Sequence, residues 1–242
     1  MATTPSISCF TCQARERTEW CVLSDRELKL IDDHRVTRDL FPGELVYSEG
    51  DECRGVYCIE SGLVGIRKYD ADGHSILLHL AEPGETLGYR CLLTGHEFLS
   101  SAETLEPTRV CYIDAPTVRT LLEHNPALGL RFLQRASNEL EEAEEKIFQN
   151  VTLSVRARFA HLLMVLIDRS GTERSASPIE VKMPISRTDM ASMIGTTPES
   201  ISRTIRKMED EGIVEFFGAN GRMLKVPDIT VLADEFEPRD FM

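Results

Sequence analysis

Two stretches of this 242-residue chain carry residue types that do chemistry by themselves. The first is SCFTCQARERTEWC, residues 8 to 21, in which Cys9, Cys12 and Cys21 follow a C-x2-C-x8-C spacing. Thiolates ligate zinc and iron–sulfur clusters, and nearby thiols also exchange into disulfides. The chain has seven cysteines, an odd number, and MATTPSIS at its start lacks the basic-then-apolar pattern of a secretory signal. A reducing, cytoplasmic setting is therefore expected, with metal or redox chemistry favoured over a disulfide framework. Three readings stay open for the trio on this ground alone. They are a zinc site, a switching disulfide of Cys9 with Cys12 or Cys21, and no cofactor at all. The second stretch is ESISR, residues 199 to 203, in which Glu199, Ser202 and Arg203 share one helical face. Such side chains suit base edges. Arg203 can donate two hydrogen bonds to guanine, Glu199 can accept from the cytosine amino group, and Ser202 can meet a base or the thymine methyl.

Elements must hold these residues in place. Residues 1 to 24 read as an irregular arm, and LSDRELKLIDDHR as a short helix begun at Ser24. From about 36 to 115, short β-branched and aromatic runs alternate with glycines, and DADGHS at 70 to 75 marks a hairpin. Many short strands at this spacing imply a sandwich or barrel. APTVRTLLEHNP reads as a helix ended by Pro126, followed by one long helix to about Asn150. On that helix Leu133, Ala136, Leu140, Ala143 and Ile147 step by three and four, which suits either the seam of a parallel two-helix dimer or a solvated amphipathic helix packed on its own domain. RARFAHLLMVLIDRSG is another helix stopped at Gly171, and TERSASP, 172 to 178, a polar loop.

The C-terminal part has its own punctuation. Ser186 caps a helix with Asp189 as its capping-box partner, and that helix ends at Gly195. Thr197 caps a second helix with Pro198 at its first position. IVEFFGANGRMLKV then folds back around Asn220-Gly221 as a hairpin. Helix, turn, helix, hairpin is a winged helix-turn-helix. Ile201, Ile205 and Met208 face inward, while Arg206, Lys207 and Arg187 are expected at phosphates. Between Lys182 and Lys225 there are seven basic and six acidic residues, a near-neutral island in a chain of net charge −13. The overall charge argues against indiscriminate nucleic-acid binding but not against one local DNA-reading face.

Taken together, the chain resembles the CRP/FNR family of bacterial transcription factors over nearly its whole length. The resemblance implies an α+β fold. Its parts would be an arm (1–24), a β-roll sensor domain (25–125) like those that bind cyclic nucleotides, a dimerisation helix (126–150) and a DNA-binding domain (151–242). ESISR is similar to the recognition signature of the FNR branch, which implies a homodimer on a TTGAT-N4-ATCAA-like palindrome in double-stranded DNA, with RNA polymerase as a further partner and no enzymatic activity. It further implies a 4Fe-4S cluster sensing oxygen or nitric oxide, held by Cys9, Cys12, Cys21 and, from RVCYID, Cys111. Cyclic nucleotide is disfavoured, because Tyr89 and Ser100 stand where the phosphate cassette has Glu and Arg. Zinc, haem, a thiol switch or no cofactor are the alternatives on the same scaffold. The x8 gap is longer than in the best-known member. Ala143 keeps the seam apolar, so the dimer is expected to depend less strictly on the cluster. Cys58 reads as a buried small hydrophobe. Cys53 and Cys91 read as candidates for exposure. The six histidines form no H-x-H pair, which leaves a metal-dependent β-barrel enzyme poorly supported.

Overall fold

The computed structural model describes residues 7–172 and 178–236. The expected TERSASP loop therefore falls almost wholly outside the described residues, as do the first six residues of the arm. The chain forms two compact units, Met1–Glu142 and Ala143–Met242. Among the described residues no helix is long and apolar enough to cross a membrane.

The first unit is a β-roll flanked by helices. Eight strands form two antiparallel four-stranded sheets: β1 (Val36–Leu40), β2 (Leu45–Tyr47), β3 (Gly55–Ser61), β4 (Val64–Tyr69), β5 (Ser75–Ala81), β6 (Thr86–Leu87), β7 (Ser101–Thr104) and β8 (Thr108–Asp114). One sheet runs β1-β8-β3-β6, the other β2-β7-β4-β5. The β4–β5 hairpin turns at the Asp70–His74 stretch, with Gly73 at φ 83°. The interior between the sheets is filled by Leu40, Val46, Ile59, Val64, Leu87, Phe98 and Val110. Phe98 stacks on Tyr47 with ring centroids 3.8 Å apart, and Tyr47 lies 5.7 Å from Tyr57. The packing is tight enough to demand glycine at position 88. A Cβ there would come within 2.8 Å of the Phe98 ring, at a backbone φ of 82°.

Three helices cover one sheet. Helix α1 (Asp25–His34) begins at Ser24 as expected, and a capping box with Glu27 closes its start, the Ser24 N–H donating to the Glu27 carboxylate. A short helix, α2 (Tyr89–Thr94), occupies the stretch matched to the nucleotide cassette; the sequence reading had no helix there. Helix α3 (Ala115–His124) is capped by Asp114. Leu28, Ile31, Val56, Ile113, Val118, Leu121 and Trp20 form the core beneath them. Helix α4 (Pro126–Thr152) closes this core with Leu128 and Phe132, and the boundary between the two units falls within it. The arm is more ordered than its composition suggests. Ala14–Arg17 and Glu19–Val22 are two 3₁₀ turns, the second capped by the Thr18 hydroxyl, and Glu19 and Trp20 are buried.

The second unit is the winged helix-turn-helix. Helix α5 (Val155–Arg169) buries Phe159, Leu163 and Ile167. Helix α6 (Arg187–Met193) starts on the Ser186–Asp189 capping box, and α7 (Pro198–Asp210) on Thr197, whose hydroxyl accepts from the Ser200 N–H. Gly195 makes the turn between them at φ 63°, and the Arg158 guanidinium donates to the Ile194 carbonyl beside it. The wing is a three-stranded sheet, β10-β11-β9, built from β9 (Ile179–Lys182), β10 (Glu215–Phe217) and β11 (Met223–Val226). The hairpin turns at Ala219–Gly221, with Asn220 at φ 59°. A short C-terminal helix, α8 (Ile229–Asp234), packs on α5.

Candidate metal centre and nucleic-acid interface

In the first unit a cleft of ≈ 470 Å³, counting its open mouth, lies between the arm, α1 and the β1-β8-β3-β6 sheet. Cys9, Cys12, Cys58 and Cys111 line it, with Trp20, Leu28, Ile31 and Ile113 supplying an apolar wall. Cys111 and Cys58 are directly opposed on β8 and β3, so they share a face of the sheet. Cys9 and Cys12 arrive from the arm. The Asp32 carboxylate on α1 accepts from the Cys9 N–H at 2.8 Å and from the Ser8 hydroxyl at 2.7 Å. Arg35, at the end of the same helix, bonds Asp32 at 2.8 Å and Thr37 at 2.8 Å, and its guanidinium lies 3.4 Å from the Cys111 sulfur. Arg15 donates to the Cys9 carbonyl at 3.0 Å.

The electrostatics follow from this packing. Burial pushes the Cys9 thiol up to about 12, against the opposing pull of Arg35. Burial also raises the Cys111 thiol, with Thr37 and Arg35 opposing it, and raises that of Cys58. These shifts favour the protonated thiols, and a protonated thiol is a poor nucleophile. A metal would have to displace those protons, and Arg35 would then face the anionic sulfurs. At Asp32 burial acts to raise the pKa, but the Cys9 N–H, Ser8 hydroxyl and Arg35 outweigh it and hold the carboxyl at about 2.

The donor set can be tested for fit. Four thiols around an apolar cleft match the ligand chemistry of an iron–sulfur cluster. Among the described residues no three cysteine sulfurs lie within 4.8 Å of one another, so they are not gathered at the spacing of a preformed tetrahedral zinc site. No histidine lines the cleft. Of the four expected ligands, the structure brings Cys9, Cys12 and Cys111 together and leaves Cys21 apart. Cys21 turns toward α4, where Arg131 donates to its sulfur at 2.9 Å. Of the remaining cysteines, Cys53 is half-buried and Cys91 is buried rather than exposed.

Next to the cleft, a buried polar network ties the arm to α4. The Glu19 carboxylate accepts from the Thr86 hydroxyl at 2.8 Å and from Arg135 of α4 at 3.0 Å. Thr86 in turn accepts from the Trp20 indole N–H at 2.9 Å, and its oxygen lies 3.8 Å from the Cys58 sulfur. Arg135 also pairs with Glu85 at 2.9 Å and Glu139 at 2.8 Å. The Trp20 ring meets Phe132 of α4 edge-on at 5.5 Å. Tyr89, where the cassette carries Glu, stacks its ring against Phe132 at 5.4 Å and lies beneath the Arg135 guanidinium. That ring is packed into α4, not held out as a phosphate or ribose ligand. Sequence reading missed Glu19, Asp32, Arg35, Thr86 and Arg135. Their only trace was local, a Glu-Trp pair inside a polar arm.

In the second unit α7 has the two faces expected. Ile201, Ile205 and Met208 are buried, while Glu199, Ser202, Arg203, Arg206 and Lys207 are exposed. Backbone N–H contact at the helix start, the Thr197 hydroxyl and Arg203 lower the Glu199 pKa, so it is ionised at neutral pH. The Ser202 hydroxyl bonds the Pro198 carbonyl at 2.7 Å and must rotate away to meet a base. Arg187, at the first turn of α6, is exposed and lies over the Phe216 ring of the wing. The candidate seam residues of α4 are also presented outward: Leu133, Leu140, Ala143 and Ile147 are exposed, and Ala136 is half-buried against the core.

Comparison with known proteins covers both units. Residues 37–125 match the cyclic nucleotide-binding domain model, and residues 157–235 the Crp-like helix-turn-helix domain model. The chain is 27% identical over 169 residues to the nitrogen fixation regulation protein FixK of Azorhizobium caulinodans, covering 70% of this chain and 67% of that protein. It is 24% identical to the fumarate nitrate reduction regulatory protein of Klebsiella oxytoca, over 94% of this chain and 90% of the relative. Among solved structures, FixK2 from Bradyrhizobium japonicum superposes with a TM-score of 0.70 at 21% identity, covering 84% of this chain and 98% of that one. At that identity the likeness speaks for the fold.

Proposed function

We propose a specific mode of action for this chain, which belongs to the CRP/FNR family of DNA-binding transcriptional regulators. It senses oxygen, or nitric oxide, through a 4Fe-4S cluster and binds a TTGAT-N4-ATCAA-like palindrome as a homodimer. The observation that carries the sensing half is the apolar cleft in which thiols from the arm and the sheet converge. Cys9, Cys12 and Cys111 are three of its ligands. When bound, the cluster supplies a centre that oxygen or nitric oxide dismantles.

The chain's own residues then relate the site to α4. Asp32 and Arg35 seat the Cys9 backbone on α1, and Arg35 balances the charge of the sulfurs. The segment from Cys12 to Cys21 carries Glu19 and Trp20. These two residues hold Arg135 and Phe132, on the helix whose outward face is the dimer seam. Cys12 would be the bond that ties one end of that segment to the cluster, and its release would free that end. Glu19 and Trp20 shift, and α4 loses its fixed rotation about its own axis. The seam of Leu133, Ala136, Leu140, Ala143 and Ile147 then pairs less well, and DNA affinity falls. This is a two-state element biased by a cofactor.

On DNA, Glu199, Ser202 and Arg203 read base edges, while Arg187, Arg206 and Lys207 meet phosphates. Two such helices in a dimer lie about 34 Å apart, one turn of the major groove. RNA polymerase is the partner through which the bound dimer acts, and the cytoplasm is its setting.

Anaerobic purification tests the sensing half. A brown protein with broad visible absorption that air bleaches is the expected result. A sharp Soret band would replace the reading with haem. A colourless protein carrying zinc would overturn it.

A further inference from the structure

Four thiols are needed to complete a cluster, and the structure offers a different fourth from the one the arm's sequence suggests. Cys58 lines the cleft with Cys9, Cys12 and Cys111. It opposes Cys111 in the β3–β8 register, so both side chains leave the same face of the sheet. Cys21 has none of these properties. It belongs to the 3₁₀ turn Glu19–Val22, where neighbouring side chains diverge by about 120°. Trp20 of that turn fills the wall of the cleft and donates its indole N–H to Thr86. The next side chain must therefore point elsewhere, and it points to Arg131 of α4. Bringing Cys21 into the cleft would expel Trp20, which is 3% exposed and packed on Phe132, and would break the Glu19–Arg135 pair.

We propose that Cys58 supplies the fourth thiolate, with Cys9, Cys12 and Cys111, and that Cys21 remains outside the metal centre as a thiol facing Arg131. The proposal rests on the cluster reading above. As each of the four sulfurs bonds an iron of a cluster assembled from two ferrous ions, two ferric ions and four sulfides, its S–H proton passes to solvent. No electron moves at the cysteines. The arrangement also explains why an eight-residue spacer is tolerated: Cys21 need not reach the cleft, and the spacer is free to form one 3₁₀ turn and begin the second, which holds α4.

The test is anaerobic reconstitution of full-length wild type, Cys58→Ala and Cys21→Ala with iron and sulfide, followed by iron and sulfide analysis and by the electron paramagnetic spectrum of the reduced protein. Wild type and Cys21→Ala are expected to hold about four irons each, and Cys58→Ala less than half of that with an altered spectrum. Iron loss in Cys21→Ala, or full iron content in Cys58→Ala, overturns the assignment. Failure of wild type to take up iron and sulfide would instead reject the cluster reading itself. Should Cys58→Ala fold poorly, alkylation of wild type decides the matter. With iodoacetamide under anaerobic conditions, Cys21 is expected to be labelled equally fast before and after loading, as read by peptide mass. Protection of Cys21 on loading overturns the proposal.

Discussion

The Glu19–Arg135 pair links the arm to α4, and a double-mutant cycle measures that link. Glu19 and Arg135 have side chains only 7% and 15% exposed, and their charged atoms lie 3.0 Å apart. In Arg135→Met the apolar stem is kept and the charge removed, which leaves the Glu19 carboxylate with the Thr86 hydroxyl alone. Removing one partner of a buried pair costs roughly 3–5 kcal/mol. Arg135 also borders a polar hollow lined by Arg17, Gln134 and Asn138, so water reaches its edge and the lower end, about 3 kcal/mol, is expected. Glu19→Gln keeps one acceptor oxygen for Arg135 and turns a donor N–H toward Thr86, whose hydroxyl must then rotate, a loss of about 1–3 kcal/mol. In the double variant the neutral Gln no longer lacks a counter-charge. The combined loss should therefore fall short of the sum by about 1–2 kcal/mol. The assay is urea unfolding followed by tryptophan fluorescence. Trp20 is the chain's one tryptophan, so the signal reports the first unit and its arm selectively. Additivity to within about 0.5 kcal/mol would show that the two residues do not hold each other, and the proposed link to α4 would be refuted.

Other expectations follow from the same geometry. Arg203→Ala should lose roughly 1–3 kcal/mol on the specific palindrome and little on unrelated DNA, whereas Arg206→Ala should weaken both and reduce the salt slope by about one; equal loss on all sequences in Arg203→Ala would remove it from base readout. Leu140 is 60% exposed on α4, and its burial in a symmetric seam would contribute about 1.5–3 kcal/mol per chain. Leu140→Glu should thus raise the dimer dissociation constant at least a hundredfold in sedimentation equilibrium. Metal-free wild type should still dimerise, its seam being apolar at Ala143; a monomer alone would refute that. Because Asp32 is held at about 2 in the fold, below an unfolded value near 4, its contribution is present above pH 4 and is lost as pH falls from about 4 toward 2. Trp20 emission should therefore shift to longer wavelength over that window as the arm leaves, and in Asp32→Asn the emission should be red-shifted already at pH 7.

What could be read from the sequence was what local chemistry determines. Ser24, Ser186 and Thr197 cap the helices they were expected to cap, because the bonds join residues two to three positions apart. The Asn220-Gly221 hairpin was legible for the same reason. The exposed face of α7 followed from a period of 3.6 residues, and its hydrophobic complement confirmed the phase. The thiol-lined cleft was legible only in part, since it depends on pairings across long stretches of chain. Nothing near Cys58 announces that β3 will lie beside β8 with Cys58 opposite Cys111. Nothing near Arg135 shows that it will meet a glutamate of the arm. Helix α2 escaped because its six residues begin at a left-handed glycine and include no capping side chain. Its position is set by Phe98 packing against Gly88, which is a tertiary cause.

The spacer between Cys12 and Cys21 is where these levels meet. As sequence, eight residues are a loose tether between two thiols. As structure, they form one 3₁₀ turn and begin a second, whose buried Glu19 and Trp20 bond Thr86 and α4 while the Trp20 ring also walls the thiol-lined cleft. A tether would release α4 only through loss of the whole arm. A folded spacer transmits a smaller displacement, because Glu19 has two short hydrogen bonds and Trp20 has one, and each of these weakens steeply with a change of angle or distance. The arm and α4 are thus coupled by packing. A cluster would then act by fixing one end of an element already in place. In such an arrangement Arg135→Met breaks the response while sparing the metal centre, since Arg135 touches none of the residues that line the cleft except through Glu19 and Thr86.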